Sequence, residues 1–112
     1  MSEYTPDNWV ILKIQYEGET LYKVLAGWSG GYLDSDYWRM NSGITRVVEQ
    51  DDYWEFYGNS GSCYNCYKGQ YRLRMNNAGI YEQLKNTSVA TVEMMPEDTN
   101  WMEIEWADDT TN

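Results

Sequence analysis

Histidine is absent from this sequence and cations are scarce: Lys and Arg number 8 against 18 Asp and Glu, a net charge of −10. Without histidine the usual catalytic triads and the commonest neutral-pH acid/base group are excluded. The chain also has only two cysteines, too few for a closed four-ligand zinc site. So acidic a surface repels phosphates, which excludes direct binding of DNA or RNA. No apolar run approaches the ~20 residues that span a bilayer. The opening MSEYTPDNW lacks the basic start and apolar stretch of a secretory signal. A cytoplasmic location is therefore expected, where the Asn86-Thr87-Ser88 sequon is idle.

Phenylalanine occurs once, at Phe56, and proline twice, at Pro6 and Pro96. The aromatic content lies instead in 6 Trp and 11 Tyr. These rings have an apolar body and a polar handle, so they suit half-buried sheet faces, grooves and interfaces. The ordinary reading is a small sheet with an aromatic core and rim. At 112 residues the chain is one domain, 1–112, with the polar stretches 1–7 and 107–112 expected to fray.

Hydrophobic alternation organises most of the chain. Trp9 to Tyr16 and Leu21 to Trp28 alternate at period two around Gly18, and predict a hairpin. Short strands follow at Tyr37 to Asn41, Ile44 to Glu49, Tyr53 to Tyr57 and Ser62 to Lys68. Val89 to Met95 and Trp101 to Trp106 alternate as well. Only 77–86, NAGIYEQLKN, has helical spacing, with Asn77 as a cap. The expected class is α+β, mostly β: an antiparallel sheet of six to seven short strands, curled or barrel-like, with one short helix at 77–86.

Few motifs carry chemistry. Cys63-Tyr64-Asn65-Cys66 spells CxxC, but inside a strand two residues three apart point to opposite faces, so the thiols do not meet. Asp34-Ser35-Asp36 lacks the spacing and glycine of a calcium loop, and Asp51-Asp52 reads as a turn. No metal ligand set, cofactor motif or catalytic residue is assigned, and a non-enzymatic protein is expected. The segment Trp28-Ser29-Gly30-Gly31-Tyr32 stands out, because its glycines allow close approach and its rings can grip. The candidate binding residues are Trp28, Gly30, Gly31, Tyr32, Tyr37 and Trp38.

Four stretches carry a resemblance: TPDNWVILKI, YKVLAGWSGGYLDSDYWRMNSGI, GSCYNCYKG and MMPEDTNW. In order along the chain they resemble uncharacterised small proteins of marine cyanophages and ocean metagenomes. The resemblance carries no chemistry. It implies a phage-encoded protein acting in a host cell's cytoplasm.

Together these point to a small acidic protein-interaction module, a phage accessory protein whose partner is a host or phage protein with a basic surface. The alternatives are a carbohydrate-binding module, a structural or self-associating β protein that forms homo-oligomers, and an acidic mimic of DNA.

Overall fold

The computed structural model describes residues 2–29, 37–87 and 89–106. Its class is the expected α+β, mostly β, with the strands divided between two four-stranded sheets that do not close into a barrel. The strands are β1 (Ser2–Tyr4), β2 (Asn8–Tyr16), β3 (Glu19–Trp28), β4 (Tyr37–Met40), β5 (Ile44–Glu49), β6 (Tyr53–Gly58), β7 (Ser62–Tyr67) and β8 (Thr91–Met94). The helix α1 spans Ala78–Thr87. One sheet runs β4-β3-β2-β8, all antiparallel. The other runs β1-β7-β6-β5, antiparallel except where β1 lies parallel to β7.

The predicted β2–β3 hairpin forms, with Tyr16 opposite Glu19. Its two-residue loop holds Glu17 at φ 50° and Gly18 at φ 82°. Positive φ at both positions matches the right-handed strand twist, and Gly18 adopts it without steric cost.

Consecutive residues of β2 face opposite ways and set up three layers. Trp9 packs on Phe56 of the other sheet, ring centroids 5.5 Å apart. Asn8, one residue earlier, bonds through its side-chain amide to Asn76 just before α1. The β2–β3 sheet is thus the middle layer, buried on both faces. This explains the unbroken run of buried residues from Asn8 to Leu12. The helix packs Ile80, Tyr81 and Leu84 against the core, and Tyr81 Oη accepts the Met94 N–H at 3.3 Å.

Two segments differ from the sequence expectation. Ser2–Tyr4, within the stretch expected to fray, is strand β1, paired with Ser62–Tyr64; 107–112 lies outside the described residues. Trp101–Glu103, expected as part of a strand, is a 3-10 turn whose start is capped by Asn100 Oδ1, which accepts the Met102 N–H at 3.1 Å. The turn drives Trp101 into the aromatic core against Trp9, Phe56 and Tyr71 and leaves Met102 exposed. Burial of one large indole outweighs the weak alternation of Met102 and Ile104. Asn77 precedes the helix as expected, but its side chain ties the helix start to the sheet. Its Oδ1 accepts the Arg74 N–H at 2.8 Å and its Nδ2 donates to the Leu25 carbonyl at 3.3 Å.

The aromatic core gives stability a defined pH dependence. Burial pushes the Tyr64 phenol up to about 12, against a partial lowering by Arg39. Burial raises Tyr71 further. Tyr71 Oη accepts the Ile11 N–H at 3.1 Å and donates to the Met95 carbonyl at 2.5 Å. A phenol whose folded pKa lies above its unfolded value of roughly 10 stabilises fully below that value. That contribution is lost as pH rises through the folded pKa. With no histidine, thermal melts should give a flat midpoint between about pH 6 and 8 and a fall above about pH 10. A midpoint unchanged at about pH 11 would contradict the account.

Candidate functional site

Strand β4 is an edge of the middle sheet, paired only with β3 among the described residues. Its register puts Tyr37 opposite Trp28, Trp38 opposite Gly27, Arg39 opposite Ala26 and Met40 opposite Leu25. Directly opposed residues share a face. Trp28, Tyr37 and Arg39 therefore stand on one side of the sheet, and Trp38 on the other. Tyr37 is 52% exposed and Trp38 43%.

The three candidate residues that can be located are brought together. Trp28 and Tyr37 stack with ring centroids 5.0 Å apart and planes within 8°. The Trp28 indole N–H donates to the Thr5 carbonyl at 3.0 Å, and the Ser29 N–H donates to Asp7 Oδ2 at 2.8 Å, so the end of β3 is pinned to the β1–β2 connection. Trp38 lies on the reverse face, so the patch wraps the edge instead of lying flat. Gly30, Gly31 and Tyr32 lie outside the described residues, as does Asp34-Ser35-Asp36.

Two residues complete the cluster and were not singled out from the sequence. The Arg39 guanidinium lies 4.6 Å over the ring of Tyr4. Tyr4 also meets Trp28 edge-on at 6.4 Å and Tyr64 at 4.9 Å. Arg39 was readable, since it alternates with Tyr37. Tyr4 was not, because only the long-range parallel pairing of β1 with β7 brings it here.

The backbone of β4 is as informative as its rings. The Asn41 N–H donates to the Val24 carbonyl at 3.2 Å, and Asp7 N–H donates to the Gly27 carbonyl at 2.9 Å. Val24 therefore addresses β4, and so, by alternation, do Ala26 and Trp28, while Gly27 addresses β2. Arg39 and Tyr37 are the residues that bond back to β3. The N–H and C=O of Trp38 and Met40 point off the open edge.

Other sites are less suited to recognition or chemistry. Cys63 is paired across the sheet with Tyr57 and Cys66 with Trp54, on opposite faces of β7, as the strand argument required. Both thiols are free and buried, and burial raises both of their pKa values, so neither is poised as a thiolate. Among the described residues no three His, Cys, Asp or Glu side chains converge as a metal set, and no helix is long and apolar enough to cross a membrane. A cavity of about 190 Å³ is walled by Trp9, Trp54, Tyr71 and Trp101. It is below the usual ligand range of roughly 300 Å³ and upward. Lys68 sits 5.0 Å over Trp54 and is ion-paired to Glu49 at 2.7 Å.

The outer face of the second sheet carries Tyr53, Tyr57 and Tyr67, the surface a sugar-binding reading would use. Stacking on a sugar needs an open, flat ring face. Here Arg46 covers Tyr57 at 3.9 Å, and Tyr53 and Tyr67 tilt 32° against each other. No protein-family model, curated protein or solved structure matches the chain.

Proposed function

We propose that the protein is a non-enzymatic interaction module that binds a protein partner along the β4 edge. The observation that carries this reading is the pair Tyr37 and Trp38, each more than two-fifths exposed on a strand whose outer backbone is unpaired among the described residues. Open strand edges recruit extended segments by main-chain hydrogen bonds, and side chains on alternate positions select among them. Tyr, Trp and Arg are the residue types that dominate binding energy at interfaces, and Tyr37-Trp38-Arg39 presents all three in a row. The stack on Trp28 and the Arg39–Tyr4 contact hold two of these side chains in place before binding, which lowers the ordering cost.

The net charge of −10 supports a partner whose wider surface is basic, steered from a distance and sensitive to salt in its on-rate. On the resemblance to cyanophage proteins, that partner is a host or phage protein met in the cytoplasm.

The test is a partner captured from the producing cell, purified and titrated against variants. Trp38→Ala should weaken binding by roughly 30-fold, a hot-spot loss of ~2 kcal/mol. Trp38→Pro should weaken it further than Trp38→Ala, because proline also removes the outward N–H while an edge position tolerates it. Equal affinities for wild type and both variants would place the interface elsewhere. If the captured partner is a second copy of the chain, the same edge is the site of self-association.

A further inference from the structure

A pocket of about 350 Å³ opens between the β3–β4 edge and the start of β7. Among the described residues its wall includes Lys23, Arg39, Asn41, Ser42, Ser60 and Ser62, with no carboxylate. Lys23 and Arg39, two of the chain's 8 cationic residues, thus both line a pocket that no described carboxylate lines. The ion pairs among the described residues are Lys68–Glu49 and Lys85–Glu82, so no described carboxylate pairs with Lys23 or Arg39.

A second observation points to a missing acceptor. Asn41 is only 4% exposed. Its Oδ1 accepts the Val24 N–H at 2.9 Å, which fixes the amide orientation. Its Nδ2 is buried and has no hydrogen-bond partner among the described residues. Buried donors are nearly always paired, so an orphan beside a cationic pocket marks a place for an acceptor atom. Nδ2 and the Ser62 hydroxyl converge: they lie 3.4 and 3.2 Å from the position a Cβ on Gly58 would take. Ser42 Oγ donates to Asn59 Oδ1 at 2.5 Å and stands 3.1 Å from Ser60 Oγ. With the Ser42 proton committed to Asn59, Ser60 donates to Ser42 Oγ, and the Ser62 hydroxyl is the one able to donate inward. The Arg39 guanidinium lies 4.6 Å over the Tyr4 ring, and a guanidinium can offer a forked pair of N–H donors to an oxyanion.

An unpaired amide donor, serine hydroxyls, two cationic residues and no described carboxylate select against a cation or an apolar ligand. We propose that this pocket binds a tetrahedral oxyanion of the phosphate class, as the free ion or as the terminal group of a phosphomonoester. The site is separate from the β4 edge as a protein-binding surface, although Arg39 borders both.

The experiment follows the side-chain amide of Asn41 and the Nε–H of Arg39 by NMR in the full chain. Sodium phosphate and phenyl phosphate are titrated in turn, each against sodium chloride at matched ionic strength. Saturable shifts of both resonances with phosphate and not with chloride are expected. Arg39→Gln should weaken the apparent affinity at least about tenfold, and Lys23→Gln with Arg39→Gln should abolish saturation, both at exposed or half-exposed positions that spare the fold. Trp38→Ala should leave the titration unchanged, which separates this site from failure of the protein-binding reading. Tighter binding of phenyl phosphate assigns the pocket to an ester, and equal binding assigns it to the free anion. Non-saturating shifts, equal shifts with chloride, or saturable binding that survives the double substitution would overturn the proposal.

Discussion

Gly27→Ala should cost ~4 kcal/mol or more, enough to leave much of the chain unfolded at moderate temperature. A Cβ on Gly27 would stand 2.0 Å from Asn76 Oδ1 and 2.4 Å from its Cγ. Asn76 cannot swing away cheaply. It is buried, and it exchanges two hydrogen bonds with Asn8, Asn8 Nδ2 to Asn76 Oδ1 at 3.1 Å and Asn76 Nδ2 to Asn8 Oδ1 at 2.8 Å. Asn8 also donates to the Arg72 carbonyl at 3.1 Å. Moving Asn76 strands two buried amides, and unpaired buried polar groups cost ~1–3 kcal/mol each. Urea unfolding followed by circular dichroism measures the loss. Gly27→Ala combined with Asn76→Ala should be less destabilised than the sum of the single variants, because the second change removes what the first collides with. An alanine variant as stable as wild type would mean that the Asn8–Asn76 pair is not packed on β3.

Trp9→Ala should cost ~3–5 kcal/mol, a large share of the total stability of a domain this size. Trp9 is 2% exposed and meets Phe56, Tyr71 and Trp101 with ring centroids 5.5, 4.8 and 6.2 Å away. Its indole N–H donates to the Tyr67 carbonyl at 2.8 Å, and its backbone bonds Gln70 and Arg72. One residue thus joins both sheets, the segment after β7 and the 3-10 turn. Trp9→Phe keeps an aromatic body but loses the donor, and should cost ~1–2 kcal/mol. A Trp9→Ala loss below ~1 kcal/mol would show that the two sheets do not share one core.

Local patterns in the sequence carried the elements that depend on local physics. Alternation in Trp9–Tyr16 and Leu21–Trp28 around Gly18 specified the hairpin, and helical spacing of Ile80, Tyr81 and Leu84 specified α1. The strand period alone separated Cys63 from Cys66. Trp28, Tyr37 and Trp38 were visible as rings flanking a glycine-rich segment, although not their exposure. What stayed hidden depends on partners far along the chain. Nothing in Ser2–Tyr4 announces a parallel pairing with Ser62–Tyr64. Nothing local marks Asn8, Asn41, Asn76 and Asn77 as interior residues, yet all four are buried, with side chains that tie strands and the helix start together. The oxyanion pocket gathers Lys23, Arg39, Asn41 and Ser62 from separate strands and connections, so no spacing rule could collect them.

Amide hydrogen exchange of the chain, with and without its captured partner, tests the central claim most directly. The account predicts that the outward amides of Trp38 and Met40 exchange freely alone and become protected in the complex, while the outer face of the β1-β7-β6-β5 sheet keeps its rates. Protection confined to that outer face, with Trp38 and Met40 unchanged, would contradict it.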